Sequence, residues 1–330
     1  MRWDLPVLHW PSRAWRIAAK VETEVVAQFR KTREAASEET YFRLLCSLRP
    51  DRLRAEDLAE IVRHVEAHKQ VSGVFPRHVN IFGTGGDGTI NLSSMAAILA
   101  SRFVPVVKMG TRAVTGNIGS SDFIAELRQA EAASPSLARV LAEGDFRFLR
   151  LSEAGFAYRE ELRQARRRLH REGIPDLYKI VFPFANYTDP FVQINGAAKE
   201  IYFERFCELS AITGRTACIV RSEAGIDELL PGRNRIAFFD EGVLKFDSEF
   251  QLLAQYPIAG DEGFAEAPSP RMAVELFLDL LGGRALPLVR DAVLQNAALV
   301  LACASLADGS DAGMGELMAS HFSKLRTLLP

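Results

Sequence analysis

Gly83-Thr-Gly-Gly-Asp-Gly-Thr-Ile-Asn-Leu-Ser-Ser94 is the stretch whose reading decides the fold. It follows Val79-Asn-Ile-Phe82, a short apolar run that reads as a strand. Four of its first six residues are glycine, which lets successive backbone amides converge on an anion such as pyrophosphate. The apolar run from Leu92 predicts a helix over 92–103, whose positive N-terminal end adds to that pull. Ser93 and Ser94 then serve as caps or phosphate donors. No Gly-Lys-Ser/Thr follows, and the spacing is wrong for a dinucleotide fingerprint. Taken alone, such a loop is more often a plain strand-to-helix turn than a site.

The same alternation continues on both sides of the loop. Val104-Pro-Val-Val-Lys108, Thr216-Ala-Cys-Ile-Val220 and Arg235-Ile-Ala-Phe-Phe239 read as strands, while 121–131, 273–281 and 288–306 read as helices. Strands alternating with helices imply an α/β fold: a central, mostly parallel sheet flanked by helices. Before residue 71 the pattern is helical only, over 13–30, 39–48 and 55–69, with Leu58, Ile61, Val62 and Val65 on one face. Val71-Ser-Gly-Val-Phe-Pro76 breaks that pattern. The expected organisation is a small helical domain, 1–73 joined by about 159–190, and a large α/β domain, 74–158 with 191–330. A small-molecule cleft between them follows naturally.

Composition bounds the function. The 330 residues are 48% hydrophobic and 25% charged with a net charge of −2, so neither disorder nor a global field for nucleic acid or membrane is indicated. The N-terminus lacks an apolar core of signal-peptide length, and the apolar stretch 297–307 is too short to span a bilayer. Cys46, Cys207, Cys218 and Cys303 are far apart and mostly in apolar runs, so reduced thiols in a cytoplasmic protein are expected.

Two segments reinforce the glycine loop. Lys108-Met-Gly-Thr-Arg112 ends the next strand and Gly119-Ser-Ser-Asp122 opens the next helix, so both belong at the carboxyl edge of the sheet, where ligands bind. Later, Glu223-Ala-Gly-Ile-Asp-Glu-Leu-Leu-Pro231 leaves a strand with adjacent Asp227 and Glu228, a pair suited to magnesium together with substrate oxygens. An acidic pair in isolation is more often a solvated loop.

These motifs in this order resemble the anthranilate phosphoribosyltransferase family. Leu45-Cys-Ser-Leu-Arg49 and Arg54-Ala-Glu-Asp-Leu58 resemble its helical domain, and Arg290-Asp-Ala-Val-Leu-Gln-Asn-Ala297 its C-terminal helix. The resemblance implies transfer of phosphoribose from phosphoribosyl pyrophosphate to a nitrogen acceptor, with Mg2+ and a homodimer joined through the helical domain. It implies that Gly83, Thr84, Gly85 and Asp87 wrap the donor, with Asn91, Ser93, Ser94, Lys108, Ser120 and Ser121 as further donor contacts. Lys108, Asp227 and Glu228 become the catalytic set, and Ser93, Asp227 and Glu228 the metal ligands. Positioning and charge neutralisation carry such chemistry, so no nucleophilic triad is expected.

The acceptor half departs from the family pattern. The loop between Asp87 and Asn91 is about two residues short. The family's Lys-His-Gly-Asn-Arg stands here as Lys108-Met-Gly-Thr-Arg112, and its Leu-Gly-Ile/Val-Arg as Glu172-Gly-Ile-Pro175. The second change removes the partner of an acceptor carboxylate, a loss of about 2–5 kcal/mol of binding. Met109, Thr111, Tyr158, Arg159, Pro175 and Tyr178 are the lining expected instead, an apolar and aromatic set for an aromatic or heteroaromatic amine other than anthranilate.

Two other features have plainer readings. His64 and His68 stand i, i+4 without a third ligand, so a solvated helix face is expected rather than a metal site. The basic run Arg163, Arg166, Arg167, Arg168, His170 and Arg171 reads as a solvated helix paired with Glu160 and Glu161, making nucleic acid an unlikely partner. A pyrimidine nucleoside phosphorylase-like enzyme and a non-catalytic nucleic-acid-binding relative remain the alternatives.

Overall fold

Local signals set several helix starts. Ser37, Ser134 and Ser269 each accept a hydrogen bond from a backbone amide three residues on, and so cap α2 (Glu38–Ser47), α6 (Pro135–Glu143) and α10 (Pro270–Leu281). With α1 (Glu24–Glu34) and α3 (Ala55–Ala67), α2 forms a three-helix layer. The computed structural model describes residues 23–71, 73–85, 90–114, 118–156, 159–256 and 269–329.

From residue 79 the chain builds the sheet: β1 (Val79–Ile81), α4 (Leu92–Ala100), β2 (Val106–Gly110), α5 (Ser120–Glu131), then α6 and β3 (Phe146–Arg150). It next leaves for α7 (Glu160–Arg171), which packs on α2, and α8 (Tyr178–Phe184), which packs on α3. It returns through β4 (Val192–Gly196), α9 (Glu200–Thr213), β5 (Ala217–Ser222), β6 (Gly232–Asp240) and β7 (Val243–Leu252). After α10 come α11 (Pro287–Ala307) and α12 (Met314–Arg326).

The sheet order is β3-β2-β1-β4-β5-β6-β7, with the first five strands parallel and the last two antiparallel. This is the α/β architecture with a mostly parallel central sheet. The order reverses between β1 and β4, and in such sheets ligands bind in the crevice at the carboxyl ends of those two strands. Side chains alternate between two cores. Val79, Ile81, Val106 and Val192 face α4, α5, α10 and α11, while Val107, Met109 and Ile219 face the helical layer and α9.

Several elements differ from the expectations. The strand expected over 104–108 runs from Val106 to Gly110, because Pro105 supplies only a carbonyl, taken by the Val79 amide. The helix expected over 92–103 ends at Ala100. The part of the helix expected at 13–22 lies outside the described residues. α11 is long and apolar enough to cross a membrane by length and composition, but 83% of its apolar window is buried within the fold. All four cysteines are free thiols.

Candidate active site

The glycine loop continues the pairing of β1 with β4 before it turns away. Phe82 N donates to Ile194 O and Thr84 N to Gly196 O, each at 3.0 Å, and Ala198 N donates to Thr84 Oγ1 at 3.0 Å. Gly85 then adopts a left-handed φ of +58°, a conformation a side chain would strain. Its amide donates to Asp227 Oδ2 at 2.6 Å. A Cβ on Gly83 would collide with that carboxylate, and one on Gly196 with the Asp227 backbone. Two glycines are therefore required for Asp227 to lie in the crevice.

Glu228 comes with it. The Ser93 amide, in the first turn of α4, donates to Glu228 Oε1 at 3.4 Å, while Oε2 is buried with no hydrogen-bond partner among the described residues. Burial, and then the negative charge of Asp227, push the Glu228 carboxyl up to about 8, against smaller opposing effects of Ser93 and Lys108. Lys108, expected at the strand end, is buried in the middle of β2, paired with Ile81 at the end of β1; it donates to the Met109 carbonyl at 3.1 Å and is pushed down by desolvation, with Asp227 and Glu228 opposing. Gly83, Ser93, Asp227, Glu228 and Asn296 border a cavity of about 30 Å³, room for a water or a small ion.

The remaining donor candidates gather at the same edge. Ser94 Oγ and Asn91 Oδ1, at the start of α4, are buried without partners among the described residues. Ser120 packs on Gly110, where a Cβ would lie 2.7 Å from the Ser120 Cβ, and the Ser121 amide donates to Thr111 O. Asp122 accepts from the Ala113 and Gly119 amides at 3.1 and 3.0 Å, so it shapes this loop. Asp87 lies outside the described residues, as does Tyr158.

Of the described acceptor candidates, Met109 and Tyr178 share one buried cluster and the others lie nearer the surface. Met109 is wholly buried in the core beneath the helical layer. Tyr178 is buried against Phe29 and Phe182, with its hydroxyl 2.7 Å from Thr32 Oγ1. Arg159 is exposed and donates to the Ala35 carbonyl, while Thr111 and Pro175 are half-buried.

Two contributors escaped the sequence reading. Asn296 on α11 accepts from the Leu229 amide at 3.0 Å and donates to the Leu229 carbonyl at 2.8 Å, fixing the segment that carries the acid pair. Lys179 on α8 donates to the Gly85 carbonyl at 2.6 Å. Its signal was a lone lysine inside the apolar run Leu177-Tyr-Lys-Ile-Val-Phe182.

The basic run is corrected in detail. Arg166 is buried in an ion pair with Asp176 at 2.5 Å, Arg168 bridges Glu39 and Glu172, and Glu160 pairs with Arg163 and Arg167. Arg167, His170 and Arg171 are exposed and the Glu160 pairs lie within α7, as a solvated helix implies; Arg166, and Arg168 through Glu39, instead tie α7 to the fold. His68 Nδ1 lies 2.7 Å from the His64 carbonyl, and no cluster of three metal-ligating side chains exists among the described residues.

Residues 76–322 match the family described as "Glycosyl transferase family, a/b domain", which defines the class. The chain is 31% identical to the anthranilate phosphoribosyltransferase of Mycolicibacterium gilvum, over 76% of this chain and 68% of that one. It is 30% identical to that of Saccharopolyspora erythraea, over 76% and 72%. Its fold is similar to that of the Saccharomyces cerevisiae anthranilate phosphoribosyltransferase in complex with PRPP and Mg (TM-score 0.66, 20% identity, 92% of this chain and 86% of that one). The Thermus thermophilus enzyme is similar to the same degree (TM-score 0.66, 24% identity, 93% and 91%). The chain belongs to the anthranilate phosphoribosyltransferase family.

Proposed function

We propose that this chain transfers the phosphoribosyl group of phosphoribosyl pyrophosphate to a nitrogen of an aromatic or heteroaromatic acceptor other than anthranilate, with magnesium as cofactor. The observation that carries the donor half is the meeting of Gly85, Ser93, Lys108, Asp227 and Glu228 at the β1/β4 crevice. The donor set fits a hard divalent ion: two adjacent carboxylates and Ser93 beside a small cavity, with Glu228 Oε2 lacking a partner among the described residues. Asp227 and Glu228 would hold the ion, which neutralises pyrophosphate charge when bound.

The chain's own groups do the rest. The loop amides and the start of α4 orient the donor, and Lys108 meets charge developing on the leaving group in a site shielded from water. A phosphorylase needs only phosphate, for which the paired carboxylates are unsuited, and the paired arginines of α7 argue against a nucleic-acid surface. For the acceptor, Pro175 where a carboxylate-binding arginine is expected supports a changed substrate. The same reading takes 1–73 with about 159–190 as a helical domain through which a cytoplasmic homodimer forms, and sedimentation velocity checks the dimer.

Calorimetry with phosphoribosyl pyrophosphate, with and without magnesium, tests the donor half. Magnesium-dependent binding is expected for the parent and none for Asp227→Ala/Glu228→Ala; a parent that binds equally without magnesium, or not at all, defeats the reading. Turnover of anthranilate with a kcat of order 1 per second or more would remove the altered-acceptor claim.

A further inference from the structure

Gly85 is held by opposite charges on its two backbone polar groups. Asp227, after β5, takes its N–H, and Lys179, on α8, takes its carbonyl, both at 2.6 Å. Lys179 is only 8% exposed in an otherwise apolar helix turn, where methionine would fill the space without desolvating an ammonium. A second cation stands nearby. Lys199 precedes α9, and its neighbour Ala198 is hydrogen-bonded to Thr84 of the loop. Lys199 is half-buried and has no carboxylate within ion-pair distance among the described residues. His170 is lowered by burial and then by the charges of Lys179 and Lys199, so both lysines act on one region.

The fold adds to this field. α9, fourteen residues long, begins at the carboxyl end of β4, where the strand order reverses. The acid in its first turn, Glu200, is taken up by Arg221 and Arg235, so it does not cancel the helix end. Two cations thus reach the glycine loop besides Lys108: Lys179 at the Gly85 carbonyl, and Lys199 next to the residue bonded to Thr84.

We propose that Lys179 and Lys199, with the N-terminus of α9, form an oxyanion-binding wall that faces the Asp227–Glu228 pair across the glycine loop. The inference rests on the transferase reading and deepens it. Lys179 stands four residues beyond Pro175, in the first turn of α8, so a cation enters the site from a different position than the family's arginine. The oxyanion is a donor phosphate or an acceptor carboxylate; with either, the Lys179 ammonium turns from the Gly85 carbonyl toward the ligand oxygen.

The test is calorimetry on the full-length parent, Lys179→Met, Lys179→Arg and Lys199→Met, with magnesium pyrophosphate and separately with 2-aminobenzoate. Lys179→Met is expected to weaken one of the two by about tenfold or more, with Lys179→Arg recovering most of the loss. The ligand affected identifies the source. Lys199→Met is expected to weaken the same ligand about threefold at low salt, less at high salt. Lys179→Met with parent-like circular dichroism and both affinities within about twofold of the parent overturns the assignment. If that variant does not fold, unchanged affinities in Lys199→Met at low salt overturn it instead. A parent that binds neither probe overturns the transferase reading and this inference together, an outcome distinct from a parent that binds and variants that match it.

Discussion

Glu228 is an acid kept inside the fold, and its titration has consequences for stability. A glutamate carboxyl ordinarily titrates near 4.5, whereas this one is raised to about 8, first by burial and then by Asp227. The folded chain therefore holds a proton that the unfolded chain releases between those values. Stability of the metal-free protein is full below about pH 4.5 with respect to this group, falls as pH rises, and has lost the whole contribution above about 8. Glu228→Gln should be more stable than the parent above pH 8 by roughly 2–4 kcal/mol, with the gap closing toward pH 4 in urea titrations; a gap independent of pH would contradict the assignment. Gly83→Ala probes the neighbouring contact. Its methyl must push the Asp227 carboxylate off the Gly85 amide, so magnesium-dependent donor binding should be lost at a stability cost of about 1–3 kcal/mol. Asp227, Glu228 and Lys108 were legible in the sequence because short motifs carry them. Lys179 and Asn296 were not, since they meet their partners across 94 and 67 residues of chain.

At the scale of elements, α11 is more than a core helix. Its Asn296 grips both backbone polar groups of Leu229, and also the Ala292 carbonyl at 2.9 Å, so the segment after the acid pair is fixed to a rigid helix. Asn296→Ala should lower stability by about 1–3 kcal/mol through the unsatisfied Leu229 groups. It should also weaken magnesium-dependent donor binding, while Asn296→Asp should retain the bond from the Leu229 amide and recover part of that binding. Equal donor affinity in Asn296→Ala and parent would show that the acid pair needs no such support. Helices with a clean apolar stripe, such as α3, were readable from spacing. β4 was missed because Gln193 and Asn195 alternate with its apolar residues, yet both side chains are buried and donate to carbonyls of α8. β7 was missed because, at the sheet edge, all ten of its residues are exposed or half-exposed and five are polar or charged. α9 was missed because its buried aromatics, Tyr202, Phe203 and Phe206, lie among charges that hide the helical period.

At the scale of the molecule, the strand order makes a site from distant segments. The glycine loop follows β1, Lys199 follows β4, the acid pair follows β5, and Lys179 descends from the helical side. Sequence order assigns the glycine loop and the acid pair to strand ends, but only the reversal between β1 and β4 puts all these segments in one crevice. Because the ligand would tie α8, α4 and the sheet together, its binding should stabilise the whole fold and not one loop. Magnesium with phosphoribosyl pyrophosphate at about one hundred times its Kd should add roughly 2.7 kcal/mol to the folded state. For a chain of this size that is a rise in Tm on the order of 5 °C, provided unfolding is a single transition. Magnesium alone should give less, because Glu228 must first lose its proton, and the rise should grow with pH up to about 8. Asp227→Ala/Glu228→Ala should show no rise with both ligands present. A parent Tm that stays fixed with magnesium and donor at saturating concentration would mean that these segments do not meet around one ligand.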